Sequence, residues 1–246
     1  MGCCPKHSGG QEAPVPEEWW LRVGRAPEQL RRRLDVAFGA EEGRGPGVRR
    51  EFFQVAVRAF LASFFVPTER TRTYWFSDVD RPEGYFALGA LLGHAVLHDV
   101  LIPNAFPSTL FELLLRDIGS ASATRALGLS DLAAASPAEA DSLRCVLDHQ
   151  GADIGAHFGD LGWERTNRLR GEALSQATKE LFVSVYIDWS LGEKIARQFG
   201  PLSAGFRAVL GSSVMVQRMV DAPQLERIVC GGEAGAWGRG RDRRRW

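Results

Sequence analysis

"LDVAFGAEEGRGPGVRREFF" (Leu34–Phe53) decides how the rest of the chain is read. Leu34, Val36 and Phe38 alternate with smaller or polar residues, which predicts a strand. An acidic, glycine-rich turn follows, and Pro46 and Gly47 precede a helix that opens with Phe52 and Phe53. Two readings suit so many glycines: a loop that cradles phosphate, or a structural turn. The stretch lacks the Lys-Ser/Thr end of a P-loop and the G-x-G-x-x-G spacing of a dinucleotide fold.

Beyond the turn, Phe52, Phe53, Ala56, Ala59, Phe60, Ser63 and Phe64 recur at three and four, predicting a core helix over Val48–Phe65 that stops near Pro67. "RTYWFSD" (Arg72–Asp78) reads as a short aromatic strand. Pro82 opens a helix through Tyr85–Leu97, and another starts near Pro107. Ser120–Ala135 is small and polar, with short helical turns and a plausible subdomain boundary. "SPAEADSLRCVLDH" predicts a helix with Ser136 as N-cap and Glu139 at the capping-box position. Residues 151–171 show no clear period. Glu172–Phe199 carries a long helical stripe with a bend at Gly192, and "PLSAGFRAVL" and "DAPQLERIV" read as two short helices. Upstream, residues 1–16 read as a disordered leader. "PEEWWLRVGRAPEQLRRR" reads as a helix broken by Gly24 and Pro27. Residues 233–246 read as a solvated basic tail.

The bulk of the chain is ordinary: 246 residues, 45% hydrophobic, 24% charged, formal net charge zero. That balance favours neither nucleic acid nor an anionic membrane as main partner. Four scattered cysteines suit neither a disulfide scaffold nor a zinc site and fit a reducing, cytoplasmic setting. "MGCCPK" offers Gly2 for myristoylation and Cys3 or Cys4 for palmitoylation, but Lys6 stands where that pattern wants Ser or Thr. Tyr85–Leu97 is too short to span a bilayer. His94 and His98 share a helix face, as two metal ligands would, yet no third ligand is evident. They read as a packed and a rim histidine. No G-x-S-x-G elbow is present. Residue chemistry thus predicts a mostly helical α+β chain with a few short strands. It assigns no catalytic residue, no metal and no cofactor.

The ordered motifs resemble the N-terminal lobe of the HECT domain of E3 ubiquitin ligases. The opening stretch matches that family's apolar strand, acidic glycine turn and Gly-Val-x-x-Glu-Phe-Phe helix. On this resemblance the turn is structural, and Phe52 and Phe53 lock the helix into the core. "TYWFSD" matches an aromatic strand and looks most like the HERC branch. "FALGALLGHAV" matches Phe-x-x-Gly-x-x-x-Gly-x-Ala, with Gly89 and Gly93 permitting close helix approach. "FPSTLFELLL", "SPAEADSLRCVLD", "TKELFVSVYIDW" and "QLERIVCGG" follow in family order.

The resemblance implies a HECT N-lobe over residues 17–232, with a small subdomain roughly at 120–190 that binds the E2 ubiquitin-conjugating enzyme. By motif position, Leu143, Phe182 and Tyr186 match residues of the apolar E2 groove. Glu139 and Ala140 stand where the family carries larger apolar residues, which would weaken docking. The stretch between Asp148 and Gly171 is shorter than in the family, where the small subdomain carries a hairpin. The family's catalytic cysteine, which takes ubiquitin from the E2 as a thioester, belongs to a C-lobe that is absent by this reading. Cys145 and Cys230 match no catalytic motif. The expectation is a ligase fragment that docks an E2, with ubiquitin as a possible second partner. The alternatives are a non-catalytic scaffold or decoy with a degenerate groove, and a lipid-anchored helical adaptor.

Overall fold

The computed structural model describes residues 45–120, 123, 125–158, 174–211 and 213–231. The strand read at Leu34–Phe38, the helices upstream of it, the leader and the basic tail lie outside the described residues, as do residues 159–173.

Helix α1 (Pro46–Phe64) starts two residues before its sequence reading, because Pro46 occupies the first helical turn, where its missing N–H costs nothing. Its N-cap, Gly45, has φ 150° and ψ −173°, a conformation open essentially to glycine alone. That is the described part of the reason for the glycines in the turn. Phe53, Ala56, Val57, Phe60, Leu61 and Phe64 are the buried face. Phe52 is half-buried, edge-on to Phe53 at 5.9 Å, whereas Ser63, read as part of the stripe, is exposed.

The helix runs straight into strand β1 (Phe65–Pro67), which pairs antiparallel with β2 (Tyr74–Phe76). Pro67 faces Tyr74, and the Tyr74 N–H donates instead to the Ala105 carbonyl at 2.7 Å. The Phe64 carbonyl accepts from Ser77 N–H at 3.1 Å, Ser77 Oγ at 2.8 Å and Tyr85 Oη at 3.0 Å. One carbonyl thus ties helix, hairpin and the next helix together. Around it Phe65 packs on Phe76 (5.2 Å) and Phe106 (5.4 Å), and Phe64 on Tyr85 (5.2 Å).

Helix α2 (Pro82–His98) is the centre of the larger core, and α3 (Ser108–Asp117) follows it. After α4 (Leu129–Ala135), α5 (Pro137–Asp148) and α6 (Ile154–Phe158) comes α7 (Lys179–Leu191). The expected bend is a break: Gly192, at φ −123° and ψ −87°, ends α7, and a single 3-10 turn (Glu193–Ile195) leads into α8 (Ala196–Leu210). Pro201 lies inside α8, so "PLSAGFRAVL" is not a separate helix. A proline inside a helix costs one hydrogen bond and a ring clash. Burying Leu202, Ser203, Gly205, Phe206 and Val209 outweighs that loss. Two short helices, α9 (Val214–Met219) and α10 (Ala222–Cys230), close the chain's described part. Asp221 caps α10 by accepting from Gln224 N–H at 2.7 Å, and the Gln224 side chain accepts the Asp221 N–H at 3.0 Å.

The architecture is α+β and mostly helical, with a single two-stranded sheet among the described residues. The buried residues form two clusters. The larger joins α1, α2, α3, α8, α10 and the hairpin. The smaller joins α4, α5, α6 and α7. No described helix is long and apolar enough to cross a membrane.

Candidate partner-docking site

The smaller cluster gathers the residues singled out by motif position. Leu143 on α5 and Phe182 and Tyr186 on α7 meet in one apolar core with Leu132, Val146 and Ile187. Their burial differs. Phe182 has no exposed surface and Leu143 almost none, while Tyr186 keeps 8%. The tilted Phe182–Tyr186 ring pair is 6.0 Å apart, and Tyr186 meets Trp189 edge-on at 5.5 Å. Positions 182, 186 and 189 fall on one helix face. Half-buried Trp189 carries that aromatic line outward. By sequence Trp189 belongs to the helical stripe, and its i+3 spacing from Tyr186 is the signal that it extends the same face.

The cluster is closed at one end by backbone capping. Lys179 Nζ donates to the carbonyls of Leu147 (2.7 Å) and His149 (3.1 Å), placing a cation at the C-terminus of α5. Gln176 Nε2 donates to the His149 and Gly151 carbonyls at 3.0 and 2.8 Å. Beside them Asp153 accepts from His149 Nε2 at 2.9 Å, which draws its carboxyl below the usual range.

At the other end, α5 departs from its expected cap. Ser136 is the N-cap residue, but its side chain makes no cap hydrogen bond, and Glu139 does not complete a capping box. Glu139 reaches across to α7 and the 3-10 turn. It accepts from Ser190 Oγ at 2.7 Å and pairs with Lys194. Lys194 Nζ also lies 5.6 Å from the centre of the Trp189 ring, a cation–π geometry. Burial alone would raise the Glu139 carboxyl. The hydrogen bonds from Lys194 and Ser190 and the Lys194 charge outweigh it and hold the group below its ordinary value. Ala140, next in sequence, is fully buried. The position where larger apolar residues were expected thus carries a charge bridge.

The two described thiols sit in different settings. Cys230 is half-buried, with Sγ 3.9 Å from the Pro103 carbonyl, and burial pushes its thiol up to about 12. Cys145 is exposed on α5. His94 is packed: burial, then the neighbouring His98, takes it down to about 4. The two imidazoles stack in parallel at 5.4 Å. Among the described residues no three His, Cys, Asp or Glu side chains converge to hold a metal.

Residues 49–239 match the HECT-domain (ubiquitin-transferase) family. Among curated proteins, the probable E3 ubiquitin-protein ligase HECTD2 of Pongo abelii is 26% identical over 230 residues, covering 82% of this chain and 29% of that protein. The human HECTD2 is 25% identical over the same share of each. The probable E3 ubiquitin-protein ligase HERC3 of Homo sapiens is 25% identical over 204 residues, 76% of this chain and 19% of that protein. The chain thus spans less than a third of the length of these relatives. With its family match extending over most of the described fold, this chain belongs to the HECT-domain family.

Proposed function

We propose that the chain docks a ubiquitin-conjugating E2 enzyme as part of a HECT-type E3 ubiquitin ligase. The observation that carries this reading is the convergence of Leu143, Phe182 and Tyr186 from two facing helices into one apolar site in a HECT-family chain. Phe182 and Leu143 serve as the floor of the site, and Tyr186 and Trp189 present its accessible edge. Ubiquitin arrives with the E2 and leaves through a thioester that neither Cys145 nor Cys230 forms. That step needs a cysteine outside the described fold, such as the family's C-lobe supplies.

The test is a titration of isotope-labelled E2 enzymes with the purified chain, read by NMR. Shifts confined to the E3-facing loops of one E2 are expected, weakened by Trp189→Ala. Phe182→Ala is a poor probe, because truncating a fully buried Phe costs about 3–5 kcal/mol of fold stability by itself. A second reading, a scaffold with a degenerate groove, is favoured by the Glu139–Lys194 bridge. It would be adopted if a folded chain shifted no E2.

A further inference from the structure

A cleft of about 340 Å³ opens between the β1–β2 hairpin and the helices α5 and α8. None of Leu143, Phe182 and Tyr186 lines it, although Glu139, Ser190 and Lys194 lie at the boundary it shares with the smaller cluster. Val66 and Trp75 supply apolar wall; Val66 is half exposed and Trp75 half-buried. Three carboxylates line it: Glu69, Asp78 and Glu139. Among the described residues one cation, Lys194, lines it, and that charge is taken by Glu139. Arg70, beside Glu69, is turned away to pair with Asp141 on α5. Among the described residues neither Glu69 nor Asp78 has an ion-pair partner. The cleft therefore carries two uncompensated negative charges.

A second feature points the same way. Gln198, 8% exposed, lines the cleft. Its Nε2 donates to the Ser77 carbonyl at 3.2 Å, which fixes the orientation of the amide. The Oε1 that remains is buried and accepts nothing among the described residues. A buried acceptor left unmade is costly, and a donor reaching Oε1 from the cleft would remove that cost.

We propose that this cleft binds a basic peptide segment of a partner protein, seating one Arg or Lys side chain. The aliphatic stem lies along Val66 and Trp75, where a cation also gains from the indole face. The charged end meets Glu69 and Asp78, and an N–H of the segment satisfies Gln198 Oε1. Arginine suits the site better than lysine, because its planar group stacks on aromatics and donates in several directions.

The test uses two fluorescein-labelled peptides, Gly-Arg-Gly-Arg-Gly and its twin with citrulline, which is isosteric and neutral, in place of arginine. Anisotropy should show binding of the arginine peptide and a loss of about tenfold for the citrulline twin. The paired change Glu69→Gln with Asp78→Asn should weaken the arginine peptide about fivefold or more, while Glu51→Gln, on α1, leaves it unchanged. The Trp75 indole and Gln198 side-chain amide resonances should shift on titration. Equal binding of the two peptides, no effect of the paired change, unshifted Trp75 and Gln198 signals, or no binding at all would each overturn the proposal. The paired variant should still shift the E2 as the parent chain does, which separates failure here from failure of the docking reading.

Discussion

Gly89 and Gly205 sit at a helix crossing so close that neither has room for a methyl group. A Cβ on Gly89 would meet the Leu202 carbonyl oxygen at 1.8 Å, and one on Gly205 would meet that of Phe86 at 1.9 Å. The obstacle in both cases is backbone, so α2 and α8 would have to move apart. Gly93 extends the contact, with Val209 Cβ 2.7 Å from its would-be methyl. The two helices touch along most of their length, and the larger core is built on that seam.

Gly89→Ala and Gly205→Ala should therefore each destabilise the chain by about 3 kcal/mol or more, the upper range for overpacking. Gly200→Ala in the same helix α8 should do the reverse. Nothing lies within 4 Å of its would-be methyl, so the change stabilises by about 0.5–1 kcal/mol through helix propensity. Urea denaturation of the three variants decides the matter. Three similar effects would show that the crossing is not what these glycines serve.

That seam also marks where sequence reading stopped. The Gly89–Gly93 spacing was visible as a device for close approach, because both residues lie on one helix. Its partner Gly205 was not, because Pro201 suggested a helix boundary and nothing local in the sequence links α8 to α2. Strand β1 escaped because "FVP" is too short to show a period and reads as the end of α1. Glu139 escapes for the same reason as Gly205: three residues after Ser136 it fits a capping box, and Ser190 and Lys194, its main partners, lie on another helix and turn. That Leu143, Phe182 and Tyr186 belong together follows from the order of the motifs and not from any local pattern. Periodicity makes each a core residue and cannot say that they share a core.

The Glu139 bridge carries a pH signature. Its carboxyl lies below the ordinary value in the folded chain. It therefore stabilises the fold above the unfolded value of about 4.3, and that contribution disappears as pH falls through the folded value. Lys194→Met removes the cation and leaves a carboxylate that burial then disfavours. The cost should be about 1–2 kcal/mol at pH 7, between an exposed and a buried pair. It should shrink as pH falls from neutral towards 4, because Glu139 in the variant, raised by burial, takes up a proton before Glu139 in the parent does. A cost that stays constant between pH 7 and pH 4 would mean the pair contributes nothing through charge.

A contrast in capping separates α4 from α5. Asp131, largely buried, accepts from Arg125 Nη1 and Nη2 at 2.7 and 2.6 Å and from the Gly128 N–H at 2.9 Å. The Arg125 hydrogen bond, helped by the Gly128 N–H, holds its carboxyl low against the opposing effect of burial. Asp131→Ala leaves an Arg and an N-terminal N–H without their acceptor and should cost about 2–3 kcal/mol. Ser136→Ala removes no cap bond and only the weakest of the contacts that hold the Glu139 carboxyl low, so it should cost about 1 kcal/mol or less. Thermal melts of the two variants should differ by several degrees. Equal melts would show that the α4 cap is dispensable.

The two described cysteines should differ sharply in reactivity. A thiol acts as a nucleophile in its thiolate form, and exposure governs access to it. Cys230 is held against the Pro103 carbonyl, with its thiol pushed up to about 12, so at pH 8 it is essentially all protonated. Cys145 is open to solvent on α5. Iodoacetamide at pH 8 should alkylate Cys145 within minutes and leave Cys230 unmodified until denaturant is added, as peptide mass spectrometry would show. The same chain, incubated with E1, E2, ATP and ubiquitin, should form no reductant-sensitive adduct at either residue. An adduct at Cys145 would place a thioester on α5 itself and overturn the proposed assignment of that step to a cysteine elsewhere. Alkylation of Cys230 at the rate of Cys145 would instead mean that α10 opens readily from the larger core, and the seam of α2 and α8 would then have to hold the fold without it.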